Sequence, residues 1–188
     1  MAARAAYPGV FFCFAAMVLL IFVSVAVPTW DKVFFLSVGP KVDQLRYGVF
    51  GFTGSSTHVG YRFTNDRLNS TILHNLTKTL ILHPIAAGLS GIAFLFGLCG
   101  AANFHRSGAI MMTLVSSLAM LTTFVAWIID MILFGIARQR YRNAGEESQY
   151  GNANWLTLGA LVALLLGFCT AACGSFGRYR SRRDPVVY

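Results

Sequence analysis

The stretch Arg46-Tyr-Gly-Val-Phe-Gly-Phe-Thr-Gly-Ser-Ser-Thr-His-Val-Gly-Tyr-Arg-Phe63 lies within residues 30–79, the one long part of the chain that is not an apolar run. Two runs rich in β-branched and aromatic residues flank Gly54-Ser55-Ser56-Thr57, which predicts a β-hairpin with a four-residue loop. Along residues 59–64 apolar side chains alternate with other types, so one face of the second strand is expected to be apolar. The stretch therefore predicts a small folded β-domain.

Two neighbouring segments extend this β-domain. Residues 32–38 form a β-prone run, which would supply a first strand and bring the antiparallel sheet to at least three strands. Further on, leucine or isoleucine recurs every four residues from Leu68 to Leu80, which is the periodicity of a helix. Either Asn65 or Asp66 could cap its first turn. We therefore expect a sheet with a short helix lying on it.

The rest of the chain is dominated by four apolar runs, each about 18 residues or longer and therefore able to cross the hydrocarbon core of a bilayer as a helix. Charged residues make up 12% of the chain, whereas a soluble domain carries about 25%. The predicted membrane helices span about residues 8–29, 80–101, 108–136 and 153–175. We therefore predict a single membrane domain, a left-handed four-helix bundle in which residues 30–79 form an extracellular antiparallel sheet and short helix.

A raw count of lysine and arginine on the two sides does not favour cytosolic termini. The orientation is therefore predicted from two other features. An arginine cluster directly follows the fourth apolar run, where the positive-inside rule is most reliable. The sequons Asn69-Ser70-Thr71 and Asn75-Leu76-Thr77 require the lumenal side of the membrane. The first apolar run exceeds the roughly 7–15 residues of a signal peptide, so we interpret it as a membrane helix. Both termini are then cytosolic, and Asn69 and Asn75 are glycosylation candidates.

The net charge of +8 is scattered over both sides of the predicted membrane and does not indicate a nucleic-acid-binding protein. Only the predicted tail, residues 176–188, carries a basic patch, formed by Arg178, Arg180, Arg182 and Arg183. Such a patch can simply fix the topology. Alternatively it binds anionic headgroups, with about 1 kcal/mol per arginine at the lipid surface.

Small residues recur along two of the predicted helices. In the fourth helix they form a ridge with one member every four residues: Gly159, Ala163, Gly167, Ala171 and Ser175. Similar series occur in the second helix. Ridges of this kind let another helix approach closely. Either they pack within the four-helix bundle, or they dock a helix of a partner protein.

Asp130 is the one acidic residue inside an apolar run, and a carboxyl group at membrane depth is costly. One interpretation is structural, with Asp130 paired to His83 or to an arginine at the base of a loop. The other is a transport pathway, although the remaining helices supply no second internal acid or base. The sequence shows no zinc motif, nucleophile elbow, phosphate loop or paired carboxylates. We therefore expect no enzyme activity, cofactor or metal.

Several short motifs resemble the fungal PalI family. They are Tyr47-Gly-Val-Phe-Gly-Phe52, Gly60-Tyr61, Ile81-Leu-His-Pro-Ile-Ala-Ala87 and Asp130-Met-Ile-Leu-Phe134. Trp30, just after the first helix, is similar to the tryptophan of claudins in general. The resemblance extends from the first to the fourth helix. It implies a claudin-like tetraspan fold in a family that includes pH-response regulators and eisosome-associated plasma-membrane proteins.

The chain departs from the family pattern in the predicted outer loop. The resemblance implies two cysteines near Thr53 and Thr57, and this chain has none there. The sheet must therefore hold by packing and hydrogen bonds, without the few kcal/mol of a loop disulfide. The short tail also makes a tail-dependent signalling role less fitting.

Together these features predict a non-catalytic accessory or scaffold subunit of the plasma membrane. It would assist the assembly, stability or placement of another integral membrane protein, such as a pH sensor or a cell-wall polysaccharide synthase. The hairpin would recognise that partner through Tyr47, Phe50, Phe52, Tyr61 and Phe63. The first alternative is a claudin-like organiser that forms homo-oligomers through its own sheet edge. The second is a transporter or channel that uses Asp130.

Overall fold

A computed structural model describes residues 7–40, 44–63, 71–103 and 106–180. The elements, in chain order, are α1 Tyr7–Ser24, β1 Leu36–Val38, β2 Leu45–Tyr47, α2 Thr71–Thr79, α3 Leu82–Asn103, α4 Arg106–Asn143, β3 Ser148–Tyr150 and α5 Ala153–Arg180. The predicted fold class is confirmed: four long apolar helices carry a small three-stranded antiparallel sheet.

Within the described ranges, four helical segments are long and apolar enough to cross a membrane: Tyr7–Ser24, Leu73–Gly100, Ile110–Asn143 and Ala153–Ala172. The four long helices form a ring in which α1 contacts α3, α3 contacts α4, α4 contacts α5 and α5 contacts α1. Large apolar side chains lie exposed around the outside of the ring, where lipid would cover them. The chain is a multi-pass membrane protein.

The helices begin and end at residues that differ from the prediction. Helix α1 ends at Ser24 rather than near residue 29, whereas α5 continues to Arg180. Helix α4 runs on to Asn143, seven residues beyond the predicted end at residue 136, and the connection to α5 contains β3. With 38 residues, α4 is about 57 Å long, which exceeds the roughly 30 Å hydrocarbon core. Its last turns therefore project beyond the membrane core beside the sheet.

The sheet has the strand order β2-β1-β3, with both pairs antiparallel. Leu36 pairs with Tyr47 on one side and with Tyr150 on the other. The predicted third strand, in residues 59–64, is wrong, because the third strand is Ser148-Gln149-Tyr150 from the distant connection between α4 and α5. Central β1 is buried along its whole length, since α4 and the other helices cover it. This end of the bundle, which carries the sheet, is called the sheet end below.

The prediction of the hairpin loop at Gly54-Ser55-Ser56-Thr57 is also wrong. The chain reverses earlier, at residues 48–51, where the Gly48 amide donates to the Gly51 carbonyl over 2.8 Å. Tyr47 then faces Phe52 in an isolated antiparallel bridge. A Cβ atom at Gly48 would overlap the carbonyl oxygen of Val27, so β2 ends where its backbone meets the segment after α1. That close approach forces the early reversal.

Helix α2 lies against the sheet end with one face buried. Leu73 and Thr77 are buried, whereas Asn75 and Lys78 are exposed. Leu68 and the proposed caps Asn65 and Asp66 lie outside the described residues. The short helix therefore covers the sheet end as expected, with its polar face outward.

Two kinds of core hold the fold together. At the sheet end the buried cluster is large and aromatic, with members that include Phe35, Tyr47, Tyr61, Phe134 and Tyr141. Between the membrane helices the cluster is dominated by small residues, including Ala16, Ala86, Ala119 and Ala160. Small side chains let helices approach closely, which is how helices pack where lipid is as apolar as the core.

Replacing Gly48 with alanine tests the close approach that ends β2. Because the new Cβ meets the Val27 carbonyl, we expect Gly48→Ala to lower the free energy of unfolding by about 1–3 kcal/mol. Thermal unfolding of the detergent-purified protein, followed by tryptophan fluorescence, measures this. Gly88→Ala is the matched control, since a Cβ there meets nothing within 4 Å on an exposed face of α3. Equal melting midpoints for the two variants would contradict this account of the turn.

Candidate functional site

Among the described residues, His83 and Asp130 form a buried pair of ionisable side chains inside the bundle. The His83 Nε2 and Asp130 Oδ2 atoms lie 3.0 Å apart, and both side chains are fully buried. His83 is the second residue of α3, and Asp130 lies in α4. The pair therefore joins two neighbouring helices at the level where the membrane segment meets the sheet end.

The local sequence supplies a second partner for His83. Pro84 has no amide hydrogen, so it tolerates the first turn of α3 but breaks the helix from α2. The Leu80 carbonyl lies 3.0 Å from the His83 Nδ1 atom and also accepts from the His83 amide. The His-Pro dipeptide thus places the imidazole ring where the chain turns into α3.

These contacts determine how many protons the His83 and Asp130 side chains carry between them. Since the Leu80 carbonyl can only accept, the His83 Nδ1 atom carries a hydrogen. One further proton lies between His83 Nε2 and Asp130 Oδ2, either as a neutral acid donating to imidazole or as an imidazolium donating to a carboxylate. Both arrangements leave the pair with no net charge, which burial at membrane depth favours.

Aromatic side chains close the pair off from the sheet end. The Phe35 ring, just before β1, lies 5.4 Å from the His83 ring in an edge-on arrangement. The same ring stacks on Phe134, one helical turn after Asp130, with 4.9 Å between centroids and 8° between planes. The pair, the sheet and α4 therefore share one packed layer.

A layer of tyrosines lies next to Phe35 and joins β2 to α4. The Tyr47 and Tyr141 hydroxyl oxygens lie 2.7 Å apart, and the Tyr61 hydroxyl donates to the Gly48 carbonyl over 3.0 Å. Burial raises the pKa of the Tyr61 phenol well above its usual value, with further contributions from Tyr47 and Asp130. The Tyr61 phenol therefore remains a neutral donor, which its hydrogen bond to Gly48 requires.

The pair connects α3 to α4 through one hydrogen bond. Among the described residues, the second carboxyl oxygen of Asp130, Oδ1, is buried without a hydrogen-bond partner. Within the described part of the chain, no three His, Cys, Asp or Glu side chains lie close enough together to hold a metal ion. The geometry favours the structural interpretation of Asp130 and gives no support to a transport pathway.

The aromatic residues predicted to contact a partner lie mostly inside the protein. Tyr47, Tyr61 and Phe63 are buried, so they brace the sheet end and cannot meet another molecule. Phe50 and Phe52 are half-buried against the same cluster. Of the apolar face predicted along residues 59–64, Tyr61 and Phe63 are therefore directed inward, whereas Val59 is exposed.

The exposed part of the stretch predicted to recognise a partner is the loop of residues 53–59, rather than the aromatic residues named for that role. Its side chains are nearly all exposed, including Val59 at 51%. The loop is nevertheless tied down, because the Ser55 hydroxyl accepts from the Phe52 amide over 2.9 Å and the His58 amide donates to the Phe50 carbonyl over 2.9 Å. The signal was its polar, glycine-containing composition, which predicts a turn but not its role.

The small-residue ridge of α5 packs inside the bundle. A Cβ at Gly167 would lie 3.3 Å from Phe12 Cβ, and one at Gly159 would lie 3.7 Å from Leu19, so both face α1. Ala163 packs in the small-residue cluster between the helices, and Ala171 packs against the neighbouring cluster around Cys13. The α5 ridge is therefore occupied by α1 and is not open to a partner helix, which corrects the docking alternative.

Two further sets of predicted residues are only partly described. Asn75 is exposed on α2, while Asn69 lies outside the described residues. Thr77, which completes the second sequon, is buried and donates to the Tyr61 carbonyl over 2.9 Å. Its hydroxyl therefore has a structural role apart from the sequon. Helix α5 includes Arg178 and Arg180 at its end, whereas Arg182 and Arg183 lie outside the described residues.

Replacing Asp130 tests the structural role of the pair. Asp130→Ala leaves a buried imidazole without its partner, so we expect the free energy of unfolding to fall by about 3–5 kcal/mol. Asp130→Asn should cost less, because an amide can still hydrogen-bond to His83 Nε2. Thermal unfolding in detergent measures both. Asp31→Ala, at an exposed position, is the control. If Asp130→Ala and Asp31→Ala have the same melting temperature, the pair does not hold the helices together.

The raised pKa of Tyr61 predicts a loss of stability at alkaline pH. An unfolded tyrosine titrates near pH 10, so the contribution of the buried neutral phenol is complete below about pH 10. It is lost as the pH rises from there through the folded pKa. We expect Tyr61→Phe to reduce the drop in melting temperature between about pH 8 and pH 11. Tyr150→Phe, at an exposed tyrosine, is the control; an unchanged drop in Tyr61→Phe would refute the assignment.

Comparison with known proteins agrees with this architecture. No curated protein matches the chain. A family model described as SUR7/PalI family matches residues 5–169, which include the first three membrane spans, most of the fourth, the sheet and the His83–Asp130 pair. The tetraspan arrangement with a small antiparallel sheet at one end is the claudin-like fold that the sequence motifs implied. On this match the chain belongs to the SUR7/PalI family.

Proposed function

We propose that this protein is a non-catalytic accessory or scaffold subunit of the fungal plasma membrane. It assists the assembly, stability or placement of another integral membrane protein, with a pH sensor or a cell-wall polysaccharide synthase as candidate partners. Family membership supports a membrane role of this kind. The buried polar groups support it as well, because they are engaged in holding helices together.

The single observation that carries the proposal is the exposed loop, residues 53–59, on a rigid base. Hydrogen bonds from Phe52 and His58 order the loop, and Thr53 bonds to Arg46 through its amide over 2.9 Å. The aromatic cluster beneath connects that base to α4. An ordered, exposed surface fixed to membrane helices is suited to positioning a neighbouring membrane protein. In the proposed orientation, with both termini cytosolic, this loop is extracellular.

Partner recognition through the loop replaces recognition through the buried tyrosines. Val59 offers a large exposed apolar side chain and follows the exposed polar residues Ser56, Thr57 and His58 in the chain. An apolar centre with a polar rim is the usual composition of a protein interface. The proposal is therefore that Val59 lies at the centre of the contact.

Self-association through the sheet edge is the alternative function, but the strands are too short and too fully bonded to favour it. Each strand has three residues. The outer edge of β2 bonds to Thr53, and Ser148 of β3 exchanges hydrogen bonds with Arg138. Short, occupied edges are poor templates for pairing with another sheet.

Co-purification in mild detergent, from cells that express the protein naturally, tests the proposal. We expect a larger integral membrane protein in a fixed ratio, seen in the native mass of the complex. Val59→Asp should reduce its recovery at least about tenfold, because a charge would be buried at the interface centre. Ala144→Asp adds the same charge at an exposed position after α4 and should leave recovery unchanged.

A native mass corresponding to a monomer alone would refute the accessory role. A homo-oligomer that is insensitive to Val59→Asp would instead support the self-associating organiser. If a partner is recovered equally with Val59→Asp and Ala144→Asp, the accessory role stands, and the loop is not the contact surface.

A further inference from the structure

A surface groove of about 890 Å³ runs along the outer face of α4 beside β3. Its lower wall is apolar and includes Met131, Ile132 and Ile136. Its upper wall carries two arginines, Arg138 and Arg142, which are neighbours on the helix because they are four residues apart. The groove is thus apolar at one end and cationic at the other.

The cationic end is held in place by β3. The Arg138 guanidinium lies over the Tyr150 ring, 4.8 Å from its centroid, and its Nε atom donates to the Ser148 carbonyl over 3.4 Å. These contacts leave the terminal nitrogens of Arg138 available as donors. Arg142 is exposed, and no ion pair among the described residues neutralises either arginine. Two arginines, neither of them in an ion pair with a carboxylate of the described residues, therefore line the groove.

The groove lies at the height of a membrane interface. The apolar part of α4 ends near Ile136, and Arg138 follows directly. Trp30 and Trp155 are exposed at the same end of the bundle, and tryptophan is enriched where the hydrocarbon core meets the headgroups. The arginines are therefore at headgroup depth, while Met131 and Ile132 are at the depth of the acyl chains.

We propose that this groove binds one anionic phospholipid from the leaflet at the sheet end. The headgroup phosphate accepts hydrogen bonds from Arg138 and Arg142, and an acyl chain lies along Met131, Ile132 and Ile136. Charge complementarity selects this occupant, since arginine pairs with phosphate oxygens through several donors at once. A neutral apolar occupant, such as a partner helix, would leave two arginines without an anion. The groove is lined by none of the four arginines of the predicted basic patch, and the proposal does not depend on the proposed scaffold role.

Native mass spectrometry of the purified full-length protein with added lipid tests the proposal. The probes are phosphatidylglycerol and phosphatidylcholine with identical acyl chains. We expect one phosphatidylglycerol to remain bound, at least about tenfold more than phosphatidylcholine. Arg142→Gln should lower the retained phosphatidylglycerol at least about tenfold, since one charge-assisted contact is lost. Arg62→Gln removes an exposed arginine outside the groove and should behave as the unaltered protein.

A second variant and a second probe separate the remaining outcomes. Gly135→Leu fills the groove floor below Tyr150 without removing a charge, and it should displace the lipid to a similar extent. Inorganic phosphate alone should compete poorly, because it lacks the acyl chain. Equal retention of both lipids would overturn the proposal, as would equal loss in Arg142→Gln and Arg62→Gln. Full displacement by inorganic phosphate would also overturn it, because the groove would then bind a free anion rather than a lipid.

Discussion

The hydrogen bond between His83 and Asp130 sets the position of the sheet relative to the membrane helices. Two groups that are costly at membrane depth lie 3.0 Å apart, and each makes the other acceptable there. The break between α2 and α3, just before Pro84, positions His83. Asp130 lies within the long continuous helix α4. Because Phe35 packs on both His83 and Phe134, the position of β1 depends on the registry of α3 against α4. The sheet is thereby attached to the membrane helices.

The sheet end shows how such a domain holds without the disulfide that the family resemblance implies. Where one of the two cysteines would be expected, Thr53 bonds to Arg46 through its backbone amide and its hydroxyl. The tyrosine layer adds the contact between Tyr47 and Tyr141, which reaches from β2 to α4. Distributed hydrogen bonds and aromatic packing thus replace one covalent link. Burial of Tyr47 and Tyr61 is the consequence, and it removes them from any recognition surface.

The sequence was sufficient for features that depend on local composition and insufficient for those that depend on distant contacts. Continuous apolar runs of this length predict membrane helices, since a helix satisfies every backbone group within one segment, whereas barrel strands alternate apolar and polar residues. A lone intramembrane acid has few available partners, so pairing with His83 could be anticipated. The strand Ser148-Gln149-Tyr150 could not, because three mostly polar residues show no periodicity. The turn at Gly48 was obscured by the stronger turn signal at Gly54, since the deciding contact is with Val27, 21 positions earlier.

Hydrogen exchange of the intact protein in a lipid nanodisc, read by mass spectrometry, tests most directly whether the pair joins the sheet to the helices. If it does, the amides of β1, of the first turns of α3 and of α4 around Asp130 open together, with one common protection. The account would be contradicted if β1 exchanged quickly while α3 and α4 stayed fully protected, because the sheet would then be an independent unit resting on the bundle.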